Sequence, residues 1–501
     1  MDFEYIIVQA GGKGTRMGKE TKNKPKALVP IDNLPMLFHL FQKYPGKKFM
    51  IIGDYKYEVL EKYLKVFATV DYQMINADGR KGTCGGLQQA LSYIPAESSF
   101  LLIWSDIILD KTLVIEDLDI HNYVGLTFQM PCRWKFQNGV FIEEKSEQFG
   151  VAGVFLFENK SYIDDVPIEG EFVRYLSHKN IEFYSFDIRM SDEFGLIEKY
   201  NQLKKKKCRP FNRITEFDEY IIKEGIDEKG LELAKNEQDW YYKAKELGVK
   251  NIPQIYEINP LKLERIKGKN IYEYDTISYS QKKEILKRLV DCLKELHLCG
   301  SINANCESLY DAYVGKTFDR LEKIKDLIPF AEQQKIVING KECKNVFFYK
   351  SVIEEKFKRY HVEKFVFIHG DCTFSNILLK NDKIPILIDP RGYFGYDKYY
   401  GDVAYDWAKL YYSLVGNYDQ FNLKQFDLSI NDEDVQLEIK SSHWEDMELY
   451  FFELLKDDVD IEIIKLIHSI IWLSLTTYAW EDYDSICGAF YNGLLYLNEL
   501  I

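Results

Sequence analysis

The sequence has no apolar stretch approaching the ~18 residues that a helix needs to cross a bilayer. Its nine cysteines form no Cys-x-x-Cys pair and no His/Cys cluster, so neither structural zinc nor a disulfide framework is predicted. Basic residues are outnumbered by acidic ones, and the formal net charge of -14 argues against a nucleic-acid-binding surface, which is normally basic. An acidic N-terminus that enters a strand at once predicts no signal peptide. We therefore expect a cytoplasmic protein with free thiols and no nucleic-acid partner.

The chain is long enough to form more than one hydrophobic core. Its 501 residues predict two or three domains. Up to about residue 200, short apolar runs alternate with stretches of helical spacing. Strands are predicted at 6–8, 49–52, 72–75 and 100–104, and helices at 35–43, 56–65 and 85–93. This alternation is typical of an α/β fold with a mostly parallel sheet covered on both faces.

A run of four lysines at 204–207, followed by Pro210, interrupts this pattern. We place a domain boundary there, with a first domain at 1–205 and a second at 210–501. The second domain is predicted to begin with a hairpin at 213–223 and a helix at 231–247. Further strands are predicted at 254–258, 262–266, 365–368, 377–379 and 386–388, and the remainder is expected to be largely helical.

The first chemical motif is a glycine-rich loop directly after the first strand. It contains Gly11, Gly12, Lys13, Gly14, Thr15 and Arg16. Glycines let backbone N–H groups approach phosphate oxygens without Cβ clashes, and the two cations add positive charge. A further cation, Lys26, follows in the segment Lys24-Pro25-Lys26 and is well placed to meet a second phosphate.

This pattern resembles the sugar nucleotidyltransferase family, whose signature is GGxGTR(L/M) followed by KPKxLxP. The chain has GGKGTRM and then KPKALVP, and the similarity covers roughly residues 5–200. It continues at Gly82-Thr83, similar to the family's GT-x-GAL loop that contacts the base, and at Asp106, where a strand ends in the family's metal-binding Asp. The resemblance implies a Rossmann-like mixed sheet.

The resemblance also implies a role for each matching residue. Asp106 would bind Mg²⁺, Lys13 and Arg16 would stabilise a triphosphate, and Lys26 would hold the incoming phosphate monoester. Asp187 is expected to be the second metal ligand. The reaction would be in-line attack of a phosphate oxygen on the nucleotide α-phosphorus, with release of pyrophosphate. Two segments depart from the family: 187–190 reads DIRM where Asp-x-Gly-Thr is common, and 151–153 reads VAG where Asn-Ala-Gly is usual.

A second motif lies about 360 residues downstream. Asp371 and Asn376 stand five positions apart on a predicted short loop, and Asp389 follows an apolar run. Phosphorylation of a hydroxyl by ATP needs this set: a carboxylate near the nucleophile, and ligands for Mg²⁺. The sequence resembles the aminoglycoside phosphotransferase and choline kinase superfamily, with HGDxxxxN, then IDxxx, then GDxxxDxA at 401–408. An α+β protein-kinase-like fold is implied.

Carried over, Asp371 would be the catalytic base or orient the hydroxyl, and Asn376 and Asp389 would hold Mg²⁺. Lys223 would contact the α- and β-phosphates, and Glu237 would pair with it. Asp402 and Asp406 are expected to brace the loop or cap a helix, and His369 is expected to pack within the loop. The histidines elsewhere are interpreted as structural; they include His39, His121, His178 and His297.

Together the motifs predict a bifunctional enzyme that phosphorylates a small hydroxyl compound with ATP and then couples the phosphate to a nucleotide. The preferred acceptor is a sugar, because the loop around Gly82 looks like that of the sugar-activating branch. The second nucleotide would be CTP, UTP or GTP, and the product would suit a surface polysaccharide. Two alternatives stay open: choline, ethanolamine or a polyol as acceptor with CTP, or one active domain joined to a silent binding module. The sequence leaves the oligomeric state open.

Overall fold

The computed structural model describes residues 2–129, 131–188, 191–193, 212–226, 228–274, 276–456 and 458–501. The chain divides into two compact units. The first comprises Met1–Lys206 and Glu481–Asp484, and the second comprises Lys207–Trp480 and Ser485–Ile501. The lysine run at 204–207 and the predicted boundary at 205–210 lie outside the described residues, as do positions 189 and 190 of the departing segment.

The first unit is built on a nine-stranded sheet among its described residues. The strands of this unit are β1 (Tyr5–Gln9), β2 (Pro30–Ile31), β3 (Leu34–Pro35), β4 (Lys48–Gly53), β5 (Asp71–Asn76), β6 (Phe100–Trp104), β7 (Ile107–Ile108), β8 (Tyr123–Thr127), β9 (Lys135–Gln137), β10 (Val140–Ile142), β11 (Gly150–Phe157), β12 (Tyr184–Asp187) and β13 (Asp192–Glu193). Four of them lie outside the nine-stranded sheet, because β2 pairs with β3 and β7 pairs with β13. The sheet order is β10-β9-β11-β6-β1-β4-β5, with β8 beside β11 and β12 beside β8.

This sheet is mixed. β1 pairs in parallel with β4 and β6, and β4 pairs in parallel with β5, as the strand and helix alternation predicts. β11 instead runs antiparallel to β6 and β8, so the mostly parallel arrangement holds for one half of the sheet only. The side chains of Ile6, Ile7 and Val8 are fully buried, which is expected of a strand covered on both faces.

Helices cover the sheet of the first unit. They are α1 (Met36–Lys43), α2 (Tyr57–Phe67), α3 (Leu87–Ser92) and α4 (Phe172–Ser177), with shorter 3₁₀ turns at Thr15–Thr21, Lys26–Leu28 and Lys160–Tyr162. α2 buries Leu60, Tyr63 and Leu64, whose three- and four-residue spacing puts them on one helix face. The three helices predicted from spacing alone correspond to α1, α2 and α3.

The four-residue segment Glu481–Asp484 belongs to the first unit and holds Lys24. The Lys24 ammonium is buried and donates to Asp482 at 2.9 Å, and it also pairs with Asp484. Burial opposes the charge on Lys24, but Asp482 and then Asp484 hold its pKa well above the usual value. Lys24 is therefore occupied within the protein, whereas its neighbour Lys26 faces a different carboxylate.

The second unit begins with a four-stranded sheet in the order β14-β15-β17-β16. The strands of the whole unit are β14 (Asn212–Glu216), β15 (Tyr220–Gly225), β16 (Ile255–Glu257), β17 (Leu261–Glu264), β18 (Gly268–Asn270), β19 (Ser301–Asn303), β20 (Lys335–Ile338), β21 (Lys341–Lys344), β22 (Lys364–Phe367), β23 (Ile377–Lys380), β24 (Ile384–Leu387), β25 (Tyr393–Phe394), β26 (Asp397–Lys398), β27 (Tyr400–Gly401), β28 (Phe426–Ile430) and β29 (Val435–Ile439). The predicted hairpin is formed by β14 and β15.

Helices make up most of the rest of this unit. They are α5 (Glu228–Glu246), α6 (Tyr279–His297), α7 (Cys306–Tyr310), α8 (Lys316–Ile324), α9 (Lys350–Arg359), α10 (Val403–Leu414), α11 (Tyr418–Asn422), α12 (Glu448–Leu455), α13 (Ile461–Leu475) and α14 (Tyr483–Leu497), with a π-helical turn at Asp311–Gly315. Beyond the strands predicted from apolar runs, the unit also contains a separate sheet in the order β21-β20-β29-β28. None of the described helices combines the length and apolar character that a membrane span requires.

Candidate active sites

The glycine-rich loop of the first unit has two kinds of glycine. Gly14 lies in the left-handed region (φ +60°), and a Cβ there would come within 2.9 Å of Thr21 and 3.2 Å of Lys26. A Cβ on Gly11 would approach Asp54 at 2.9 Å. Gly12 differs, since a Cβ there would meet no atom within 4 Å. The protein itself does not need a glycine at position 12, so the open space there is available for a ligand to approach the backbone.

The two cations of this loop are free to bind an anion. The side chains of Lys13 and Arg16 are exposed, and neither forms an ion pair or hydrogen bond within the described part of the chain. Met17 N donates to Gly14 O at 2.8 Å, which closes the turn that presents both side chains. Their contact with a triphosphate stays a prediction.

Lys26 and Asp106 are 80 residues apart in sequence and form an ion pair. Their side chains are 10% and 17% exposed, so the pair is largely shielded from water but still reachable. Asp106 follows the carboxyl end of β6, where Ser105 N donates to Gln9 O of β1 at 3.1 Å. The structure thus brings the predicted phosphate-binding lysine and the predicted metal ligand together beside the glycine-rich loop.

The second loop of this site is tied to the first. Gln9 Nε2 donates to Thr83 O at 2.6 Å. Gly82 has φ +87°, and a Cβ there would lie 2.2 Å from Gly170 O, so only glycine fits. The Thr83 hydroxyl accepts a hydrogen bond from Phe172 N at 2.8 Å. Gly82 and Thr83 therefore both have structural roles, in close packing and in hydrogen bonding. Their contact with a base stays a prediction.

The remaining predicted residue of the first unit, Asp187, ends β12 and is exposed. Shortly after it, β13 pairs with β7, the strand that follows Asp106 directly. The chain thus returns to the edge of the sheet at which Asp106 lies. At 151–153, a Cβ on Gly153 would lie 2.0 Å from the Trp104 ring, so packing accounts for this glycine.

In the second unit, the predicted catalytic loop holds Asp371 from two sides. Asn376 Nδ2 donates to Asp371 Oδ2 at 3.0 Å and to Asp371 O at 2.8 Å. Lys409 Nζ donates to Asp371 Oδ1 at 2.9 Å. Burial opposes the charge on Lys409, but Asp371 raises the pKa of this lysine above its usual value. The carboxylate is 30% exposed, so it is held by two side chains and is still reachable from solvent.

The backbone of this loop is anchored on Asp406, which is fully buried in α10. Its carboxylate accepts from His369 N at 2.9 Å, from Gly370 N at 2.7 Å and from His297 Nε2 at 3.0 Å. Burial raises the pKa of Asp406, but the hydrogen bond and charge of His297 outweigh it and the net shift is downward. Asp402 caps α10 through Ala404 N at 3.1 Å. Both aspartates thus have the bracing and capping roles that were expected.

Lys223 joins the other two predicted residues of this site. Its buried ammonium lies 2.8 Å from Glu237 Oε2 and 2.8 Å from Asp389 Oδ1, a residue 166 positions away. Burial raises the pKa of Glu237 to about 7, against the opposing effect of Lys223. Asp389 has φ +55°, a left-handed conformation that is uncommon outside glycine and is often found at functional sites.

Two further residues at this site were not predicted. Lys409 holds Asp371, and Arg391 N donates to His369 O at 2.9 Å while its side chain donates to the Tyr405 hydroxyl. A signal for Lys409 was present, because it lies three positions after Asp406 and so on the same face of α10. Arg391 stands two residues after Asp389, and only its side-chain environment marks it as special.

The side chains at both sites fit a magnesium ion. Mg²⁺ prefers oxygen ligands and is usually bound by one or two carboxylates together with substrate phosphates. Asp106 and Asp187 supply such oxygens in the first unit. In the second, Asp389 is 48% exposed, and Asn376 uses its amide nitrogen on Asp371, which leaves its oxygen for a cation. No group of three or more His, Cys, Asp or Glu that is placed to hold a metal ion occurs in the described ranges.

Comparison with known proteins finds a family match within each unit. Residues 6–118 match the family model of the MobA-like NTP transferase domain, and residues 214–427 match that of the phosphotransferase enzyme family. Nucleotidyltransferase and phosphotransferase family domains are both present in this chain. Both resemblances and the mixed α/β fold class inferred from the sequence are confirmed. Lys26 and Asp106 lie in the NTP transferase domain, whereas Asp371, Asn376 and Asp389 lie in the phosphotransferase domain.

Similar proteins cover the NTP transferase domain. D-glycero-alpha-D-manno-heptose 1-phosphate guanylyltransferase of Campylobacter jejuni is 28% identical over 44% of this chain and 95% of its own length. The bifunctional protein GlmU of Methanococcus vannielii is 27% identical over 24% of this chain, a match that spans only 28% of that protein. Among solved structures, HddC from Yersinia pseudotuberculosis covers 40% of this chain and 98% of its own, with 20% identity and a TM-score of 0.35.

Proposed function

We propose that this protein phosphorylates a hydroxyl compound with ATP in its phosphotransferase domain and attaches a nucleotide to the new phosphate in its NTP transferase domain. The observation that supports the proposal is that each domain brings together charged residues that are distant in sequence. Lys26 meets Asp106 in one domain, and Lys223 meets Asp389 in the other. Either pair alone could be structural, but each lies beside a loop suited to phosphate chemistry.

In the phosphotransferase domain, Asp371 orients the acceptor hydroxyl and accepts its proton. The hydroxyl oxygen forms a bond to the γ-phosphorus of ATP while the bond to the bridging oxygen breaks, and ADP leaves. Lys223 binds the α- and β-phosphates, with Glu237 holding the ammonium in place. Asn376 and Asp389 would hold Mg²⁺, which screens the charge on the phosphates.

In the NTP transferase domain, an oxygen of the new phosphate ester forms a bond to the α-phosphorus of the second nucleotide, and pyrophosphate leaves. Both reactants are anions, so cations must reduce their repulsion. Lys26 binds the incoming phosphate, and Lys13 and Arg16 bind the triphosphate. The glycines at 11, 12 and 14 let the backbone approach it, with Thr15 in the same loop. Asp106 and Asp187 would hold Mg²⁺, and Gly82 and Thr83 would contact the base.

A sugar phosphorylated at its anomeric hydroxyl is the acceptor that we propose, with CTP, UTP or GTP as the second nucleotide. Support comes from the relatives of the NTP transferase domain, one of which is named for a heptose 1-phosphate. The activated sugar would serve surface polysaccharide synthesis, and cytoplasmic substrates would suit this role.

The test is a two-stage assay on the full chain. A panel of sugars and amino alcohols is offered with ATP and ADP release is measured; each NTP is then added and pyrophosphate is measured. We expect Asp371→Asn to lose both signals and Asp106→Asn to lose only pyrophosphate. Pyrophosphate release that survives in Asp106→Asn would show that the assignment of the NTP transferase site is wrong.

A further inference from the structure

The phosphotransferase domain contains three cations that the proposed chemistry does not use. Lys316 and Arg320 are four residues apart on α8 and therefore share one helix face. Arg391 follows Asp389 by two positions. A π-helical turn, Asp311–Gly315, leads directly into Lys316, and such turns are frequent at functional sites.

Tyrosine rings bring these cations together. Lys316 Nζ lies 5.1 Å from the centroid of the Tyr393 ring, and the guanidinium carbon of Arg391 lies 4.6 Å from the same centroid. The guanidinium of Arg320 lies 4.4 Å from the Tyr478 ring and donates to Ser474 Oγ at 2.6 Å. Two cations thus share one aromatic ring, and the third, Arg320, lies close enough to Lys316 to lower the pKa of that lysine.

None of the three forms an ion pair with a carboxylate in the part of the chain that the structure describes. The contrast within the same domain is clear, because Lys223 and Lys409 each pair with a carboxylate at 2.8 to 2.9 Å. Half-buried cations that lie together without a counter-ion repel one another, and the free energy of the cluster falls when an anion binds. The protein as a whole carries a net charge of -14, so the local excess of positive charge is specific to this place.

The pKa shifts of Lys316 and Tyr393 agree with a cluster of cations at this place. Burial and then Arg391 lower the pKa of Lys316 to about 8, with Arg320 acting in the same direction and Asp311 opposing it. Arg391 also lowers the pKa of the Tyr393 hydroxyl, even though burial alone would raise it. Both directions indicate a region of positive potential.

The cluster is connected to the catalytic loop through one aromatic ring. Arg391 donates to the hydroxyl of Tyr405. On the same ring, Lys409 Nζ lies 6.0 Å from the centroid, and Lys409 is the lysine that holds Asp371. The nucleotide-facing residue Lys223 belongs to the separate contact with Glu237 and Asp389. The cluster therefore reaches Asp371 through Tyr405 and Lys409, whereas Lys223 contacts Glu237 and Asp389.

We propose that the phosphotransferase domain takes an acceptor that carries an anionic group, a phosphate or a carboxylate, in addition to the hydroxyl that becomes phosphorylated. Lys316, Arg391 and Arg320 bind that group, and Tyr393 holds the first two in position. This inference rests on the proposed kinase function and narrows its substrate class. It opposes choline, because a quaternary ammonium group would be repelled by the same three side chains.

The experiment uses matched acceptors on the full chain with ATP, with ADP release as the readout. Each set contains a neutral sugar, its 6-phosphate and its uronic acid. Choline and ethanolamine are tested as cationic acceptors. Comparing the 6-phosphate with the uronic acid shows whether a phosphate or a carboxylate is preferred. We expect an anionic member to be preferred over its neutral partner by at least about tenfold in kcat/KM. Lys316→Met should raise KM for that acceptor about tenfold with kcat and the KM for ATP little changed, and Lys316→Arg should restore most of the affinity.

Preference for a neutral or cationic acceptor would overturn the anionic class while leaving the kinase function standing. Absence of any acceptor-dependent ADP release would count against the kinase function itself. A direct measurement keeps the two questions separate: inorganic phosphate is titrated calorimetrically into the full chain saturated with a non-hydrolysable ATP analogue. Binding that weakens about tenfold in Lys316→Met supports the cluster as an anion site, and equal binding in the two proteins overturns it.

Discussion

The two proposed sites differ in how far the protein itself fixes them. In the phosphotransferase domain, Asp371 is held by Asn376 and Lys409, and the loop backbone is anchored on the buried Asp406. In the NTP transferase domain, Lys13 and Arg16 are exposed and have no partner among the described residues. The phosphotransferase site is therefore fixed before its substrate binds. In the NTP transferase site, we expect the side chains of Lys13 and Arg16 to become ordered only when the triphosphate binds.

This difference has consequences for mutation. At a fixed site, a change in a supporting residue disturbs the chemistry through geometry, and salt should have little effect because the supporting groups of Lys409 and Asp406 are largely buried. At an open site, the same kind of contact is exposed, and its contribution should fall as ionic strength rises. The predictions that follow separate these two behaviours.

The largest effect is expected for Asp371→Asn. This change keeps the shape of the side chain but removes the base, so ADP release should fall by about 10²–10⁴-fold. Pyrophosphate release from an acceptor supplied already phosphorylated should be unchanged. Asp432→Asn, an exposed aspartate of the same domain, is the control and should match the unmodified protein in both assays.

Lys26→Met should produce the next largest loss, about 10²–10³-fold in pyrophosphate release. The change removes the cation that would bind the incoming phosphate and leaves Asp106 without its partner. ADP release should stay the same. Lys62→Met on α2, which removes an exposed charge from the same domain, serves as the control; an equal loss in both variants would show that Lys26 has no special role.

Asp406→Asn tests the bracing of the fixed site. An amide can accept from only one of the two backbone N–H groups, so we expect a cost of about 1–3 kcal/mol in the free energy of unfolding. It should also lower kcat for ADP release about tenfold, while KM for ATP stays constant. Chemical denaturation and steady-state kinetics measure the two effects, and a normal kcat in a destabilised protein would limit Asp406 to a structural role.

Arg16→Met tests the open site through ionic strength. We expect about a tenfold rise in KM for the second nucleotide at low salt, shrinking toward twofold at 0.5 M salt. The loss in Asp371→Asn should not depend on salt. An Arg16 effect that is independent of salt would mean that this side chain is not the exposed, unpaired cation described above.

The smallest effect that we expect is a dependence of the KM for the anionic acceptor on pH. The pKa of Lys316 is lowered to about 8, so the lysine loses its proton as pH rises through that value. If the protonated form binds the anionic acceptor, KM should rise severalfold between pH 7.5 and 9, and Lys316→Arg should remove the dependence. A flat profile in the unmodified protein would contradict this. The charged or titratable neighbours of Lys316 are Arg320, Arg391, Asp311, Tyr393 and Tyr478.

Much of the fold could be predicted because its strands are continuous apolar runs. β1, β4 and β6 are such runs, and the helices that follow the first strands keep a regular spacing of buried residues. β20 and β29 could not be found this way. They are short, with alternating buried and exposed residues, and they meet through Ile338 and Val435, nearly a hundred residues apart. Pairing over that separation is a tertiary effect that local pattern does not contain.

The candidate sites show the same limit. Asp371 and Asn376 were predictable because they lie on one short loop, and Lys223 with Glu237 because the hairpin and α5 are adjacent in sequence. Arg391 and Lys316 are 75 positions apart, and only the folded chain puts both against Tyr393. Their significance comes from the lack of a carboxylate partner within the described ranges, a property that sequence does not display.

The central claim is that phosphorylation precedes nucleotide transfer and that the transferred phosphate is retained. The most direct measurement follows the γ-phosphate of labelled ATP through a reaction with acceptor and unlabelled second nucleotide. The account predicts label in the nucleotide-linked product, its loss in Asp371→Asn, and its arrest in the phosphorylated acceptor in Asp106→Asn. Nucleotide-linked product that forms without label would contradict the account.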